Sequence, residues 1–111
     1  MTNILFVCSR NKWRSPTAEQ IFSNRQNIST ASAGTNKDAE NVVCIDDIEW
    51  ADAIFAMEKK HLLELKRKFG GLLHGVALHC LNIKDNFEFM DPRLVFELET
   101  KFAKYAALYS H

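Results

Sequence analysis

VCSRNKWRSPTAE, residues 7–19, decides how this chain is read. Ile4-Leu5-Phe6-Val7 runs into it as an unbroken apolar segment, the pattern of a strand covered on both faces. On the far side, Ser15-Pro16 supplies an N-cap and an N1 proline, and Ala18, Ile21 and Phe22 give the next helix one apolar face. The loop from Ser9 to Trp13 joins them. A strand, a short loop and a capped helix form one unit of an α/β sheet, and ligands of such sheets bind beyond the carboxyl ends of the strands.

The alternation continues outward. Residues 28–33, closed by Gly34, read as a second strand, and Asp46-Asp47-Ile48-Glu49 as a capped helical turn. Residues 53–57 are a third strand. Leu62, Leu65 and Phe69 mark a helix stopped by Gly70-Gly71. Residues 76–81 are a fourth strand, and Asp91-Pro92 caps a last helix with the stripe Val95, Leu98, Phe102, Tyr105 and Tyr109. The order predicts an α/β fold with a parallel sheet between helices.

At 111 residues, with 47% apolar, the chain fits one domain over residues 1–111 with a real core. Fourteen basic residues balance fourteen acidic ones, so net charge gives no reason to expect a nucleic-acid partner or a membrane surface. The apolar run at the start is too short for a signal-peptide core, and three cysteines do not make a disulfide framework; both point to a cytoplasmic setting. Cys44 and Cys80 lie in apolar surroundings and read as core residues. His61, His74, His79 and His111 show no metal-ligand spacing, and no cofactor is implied.

The chemistry lies in the opening stretch. A tight loop before a helix turns its N–H groups inward as a cup for a tetrahedral oxyanion, and the helix N-terminus adds positive potential. Arg14 closes the cup with a planar fork that holds two phosphate oxygens together. The same field favours thiolate over thiol, making Cys8 the candidate nucleophile. Ser9, Arg10, Asn11, Lys12, Trp13 and Ser15 surround the bound oxyanion. Asn11 tolerates the left-handed backbone that the cup needs, and Ser15 either caps the helix or donates to the sulfur.

These residues resemble the low-molecular-weight protein tyrosine phosphatase family. The signature V-C-x-G-N-x-C-R-S-P-x-A-E is matched at Val7, Cys8, Asn11, Arg14, Ser15, Pro16, Ala18 and Glu19. Ser32-Ala33-Gly34-Thr35 resembles the family's SAGT, and ADAIFAMEKKH resembles a later segment, matching at Ala51, Asp52, Ile54, Met57 and His61. The resemblance implies a three-layer sandwich with a four-stranded parallel sheet, and metal-free hydrolysis of a phosphorylated protein or small phosphomonoester through a phosphocysteine. It also implies an aspartate general acid after the fourth strand. Asp85 is the preferred candidate, with Phe87 walling the pocket; Asp91 is the alternative and reads better as a helix cap.

Departures from the signature bear on substrate. Arg10 replaces a glycine, with a backbone cost if that position needs positive φ. Lys12 stands where an apolar residue is common, and Trp13 where many members have a second cysteine. The segment after Gly34 is short, leaving a shallower rim. Arg10 and Lys12 at the mouth fit acidic phosphopeptides or small phosphorylated metabolites. An arsenate reductase or a non-catalytic oxyanion-binding protein would use the same cup.

Overall fold

A computed structural model describes residues 1–109; His111 lies outside the described residues. The elements are β1 (Thr2–Cys8), α1 (Arg14–Phe22), β2 (Ile28–Gly34), α2 (Ile45–Trp50), β3 (Ala53–Ala56), α3 (Lys59–Phe69), a 3-10 turn (Gly70–Leu73), β4 (Ala77–Cys80), α4 (Pro92–Phe102) and α5 (Ala106–Tyr109). All strand pairs are parallel, in the order β2-β1-β3-β4. This is the four-stranded α/β arrangement expected from the sequence.

Successive residues of a strand point to opposite faces, so the apolar run of β1 serves two cores. Ile4, Phe6 and Cys8 meet Phe22 of α1, Phe55 of β3, and Leu98 and Phe102 of α4. Leu5 and Val7 meet Ile54 of β3, Ile48 of α2 and Leu65 of α3. The result is three layers, with α1 and α4 on one face and α2 and α3 on the other. After β2 the chain crosses to the other side of β1 to form β3. The carboxyl ends of β1 and β3 therefore flank the crevice where such sheets take ligands.

Several expectations need correction. Helix α1 begins at Arg14 with Trp13 at its N-cap and no side-chain cap, so Ser15 is inside the first turn and does not cap it. Helix α4, expected to run on to Tyr109, ends at Phe102, where Tyr105 N–H bonds back to the Phe102 carbonyl (2.9 Å) in a tighter turn before α5. Tyr105 and Tyr109 still reach the first core, with rings 5.2 and 5.9 Å from Phe55. Leu94, outside the expected stripe, is fully buried, and Val95 only partly. Neither Cys44 nor Cys80 is a core residue. Cys44 is exposed as the N-cap of α2, and Cys80 is half-buried because β4 is an edge strand.

Candidate active site

Cys8 ends β1, and the loop after it folds back over its sulfur. Asn11 adopts φ 53°, a conformation that asparagine reaches more readily than most residues. Its N–H then points at Cys8 Sγ, 3.2 Å away. Asn11 Nδ2 donates to Ser15 Oγ (2.9 Å), so the Ser15 hydrogen is left for Cys8 Sγ at 2.9 Å or the Ala33 carbonyl at 3.4 Å. The sulfur thus accepts from the Asn11 amide and shares a hydrogen bond with the Ser15 hydroxyl. Arg10, not Asn11, was the position where strain was expected; Arg10 has no positive φ, so the glycine it replaces is not needed for that reason.

Gly34 explains itself by close approach. A Cβ there would lie 2.6 Å from the Ser9 carbonyl oxygen and 2.9 Å from Asn11 N. The end of β2 can support the loop only without a side chain. Thr35 and Asn36 N–H groups then bond the Cys8 and Ser9 carbonyls at 3.0 and 2.9 Å. Those carbonyls face outward, and the Asn11 N–H is directed inward at the sulfur.

Arg14 is 2% exposed, and its Nη1 donates to Glu58 Oε2 (2.6 Å) and to the Ile83 carbonyl (2.8 Å). Burial opposes ionisation of Glu58, but the hydrogen bond and charge of Arg14 outweigh it and hold the carboxyl below its usual range. With Nη1 committed, the Nε–Nη2 edge of the fork is available to a ligand. Asp85 Oδ1 lies 3.6 Å from Nε, an ion-pair distance too long for a direct hydrogen bond.

A second chain of contacts holds the loop from α3. Glu58 N–H donates to His61 Nδ1 (3.0 Å), so the neutral imidazole carries its proton on Nε2 and donates to Ser9 Oγ (2.8 Å). Burial, reinforced by the nearby Arg14 charge, lowers the His61 pKa to about 4. Sequence reasoning missed Glu58 and gave His61 little weight beyond its match to the family's segment. Both follow directly after β3, and the rule that ligands gather at the carboxyl ends of strands would have flagged them. The Ile83 carbonyl carries no sequence signal.

Cys8, Arg10, Lys12, Trp13, Arg14 and Asp85 line one cavity of about 80 Å³. Arg10 pairs with Asp38 (3.2 Å), Lys12 lies over the Trp13 ring (5.3 Å), and Asp85 is 53% exposed at the rim. Among the described residues, no three His, Cys, Asp or Glu side chains converge as metal ligands.

No family model matches the sequence, and no curated protein matches it. Solved structures do. YwlE arginine phosphatase from Geobacillus stearothermophilus has a TM-score of 0.74 and 19% identity, over 98% of this chain and 91% of its own. A YwlE arginine phosphatase mutant with serine in place of cysteine, and that active-site serine phosphorylated, gives 0.72 and 21% over 96% and 95%. A low-molecular-weight phosphotyrosine phosphatase from Vibrio cholerae O395 gives 0.69 and 22% over 98% and 97%. The chain has the low-molecular-weight phosphotyrosine phosphatase fold.

One expected feature is placed differently in this chain, and one is placed as expected. Phe87 does not line the cavity; it packs against the first core, with the Arg93 guanidinium 5.6 Å from its ring. Asp91 is away from the cavity too. Its carboxylate accepts from Arg93 N–H (2.9 Å) as the N-cap of α4 and pairs with the Arg93 side chain.

Proposed function

We propose that this protein is a phosphomonoester hydrolase acting through Cys8, with phosphotyrosine as the favoured substrate. The carrying observation is the sulfur, an acceptor for the Asn11 amide and hydrogen-bonded to the Ser15 hydroxyl, in one small cavity with Arg14 and Asp85. The thiolate attacks phosphorus, an S–P bond forms and the ester O–P bond breaks. Asp85, as the carboxylic acid, gives its proton to the leaving oxygen. The resulting carboxylate then takes a proton from water, whose oxygen displaces sulfur and releases inorganic phosphate. Arg14 and the loop amides hold the equatorial oxygens throughout. The phosphorylated active-site serine of the arginine phosphatase mutant supports a covalent step at the corresponding loop.

Phosphotyrosine is preferred to phosphoarginine because Trp13 offers an aromatic wall and Lys12, with no carboxylate partner among the described residues, repels a cationic guanidinium at the mouth. A redox relay, as in an arsenate reductase, is disfavoured by strand register. Val7, Ala56 and Cys80 lie side by side on β1, β3 and β4. Cys80 is therefore two strand spacings from β1, about 10 Å, beyond the ~7 Å limit for a disulfide.

Metal-free turnover of p-nitrophenyl phosphate by the wild type and by Cys8→Ser tests the reading. Turnover abolished by that substitution supports it, and faster hydrolysis of phosphotyrosine than of phosphoarginine supports the substrate choice. A wild type with no turnover, yet stabilised against heat by phosphate or vanadate, would make the protein an oxyanion binder instead.

A further inference from the structure

We infer that the open cleft beside the catalytic cavity seats an acidic stretch of the substrate, so that the preferred substrate is a phosphopeptide with carboxylates next to its phosphorylated residue. This rests on the phosphatase reading above and extends it. The cleft has a volume of about 380 Å³, against about 80 Å³ for the cavity at Cys8. The smaller space suits a phosphoryl group; the larger lies within the size range of small-ligand sites.

The two spaces adjoin. Arg10 lines the first and Asp38 the second, and their ion pair (3.2 Å) forms the partition. The cleft's Thr35 and Asn36 are bonded through their N–H groups to the carbonyls of Cys8 and Ser9. The Arg10–Asp38 pair is thus the link that sets the cleft beside the cavity, where residues flanking a phosphorylated side chain would be received.

Charge decides the occupant. Both acidic residues of the cleft are already neutralised, Asp38 by Arg10 and Glu64 by Arg67 at 2.9 Å. Two cations remain over. Lys37 has no carboxylate partner among the described residues, and Lys68 Nζ bonds the Thr35 carbonyl at 3.4 Å while acting through charge on Glu64, whose carboxylate Arg67 already holds. Lys12, across the cavity, also lacks a carboxylate partner among the described residues and touches only the Trp13 ring. In a chain whose charges balance overall, the surplus of positive charge is local to the site. Acidic residues flanking the phosphorylated one would meet Lys37 and Lys68 in the cleft and Lys12 at the cavity, and the match acts through long-range attraction as much as contact.

The test compares kcat/KM for p-nitrophenyl phosphate and for three phosphotyrosine peptides flanked by glutamates, alanines or lysines. The wild type should prefer the glutamate peptide at low salt and lose that preference at high salt. Lys37→Glu should cut kcat/KM for the glutamate peptide about fivefold, roughly 1 kcal/mol, while p-nitrophenyl phosphate turnover is unchanged. Lys104→Glu, an equal change in net charge beyond α4, should alter neither. Equal rates on the three peptides, a preference that salt does not weaken, or equal effects of the two variants would overturn the inference with the phosphatase reading intact. If the wild type hydrolyses none of the four substrates, the phosphatase reading itself fails and this one with it.

Discussion

Asp85 and Asp91 are the same residue type six positions apart, and their surroundings separate them. Asp85 is a half-exposed rim residue beside Arg14, whereas Asp91 is tied to the first turn of α4. Asp85→Asn is expected to lower kcat on p-nitrophenyl phosphate by about 10²–10⁴-fold with an unchanged melting temperature. Asp91→Ala is expected to leave kcat nearly as it was and to cost about 1 kcal/mol in urea unfolding. The reverse pattern would transfer the acid role to Asp91. Gly34→Ala should lose both stability and turnover, because its methyl group meets backbone atoms of the loop, which cannot rotate aside.

At the scale of elements, the start of α3 acts as a clamp on the loop from β1 to α1. Its His61 titrates near 6.5 when unfolded and at about 4 when folded. Between those values only the unfolded chain takes up the proton, so this contribution to stability is complete above about pH 6.5. It declines as pH falls towards 4, by roughly 3 kcal/mol at most. Urea midpoints measured across that range should therefore slope less steeply for His61→Gln than for the wild type. Identical slopes would mean that His61 is not held neutral in the folded protein.

For the whole molecule, the core on the α1–α4 face is a packed set of rings. Phe55 lies 5.8 Å from Phe6 and 5.1 Å from Phe102, with both tyrosines edge-on and His79 at 4.7 Å. Truncating it removes a partner from five rings at once. Phe55→Ala is expected to cost roughly 3–5 kcal/mol, a large part of the roughly 5–15 kcal/mol that holds a domain of this size together. Chemical denaturation checks this, and a loss below about 1 kcal/mol would mean that the core repacks.

The layered fold was legible because hydrophobic period is local information. The unbroken run of β1, the glycine that ends β2 and the Asp91-Pro92 cap each report on their own neighbourhood. So did the grouping of Cys8, Asn11, Arg14 and Ser15, which one short loop brings together. The burial of Cys80 was misread because it depends on which strand is at the sheet's edge, and strand order is not encoded in any single segment; that of Cys44 was misread because the residue caps α2 outside the core. Glu58, the Ile83 carbonyl and the partition between Arg10 and Asp38 belong to the same class. They become neighbours of the loop only when β1 and β3 pair and the chain after β2 folds back. Residue types and short-range spacing follow from the chain alone; contacts between residues tens of positions apart exist only once burial of the sheet's two faces has chosen one packing.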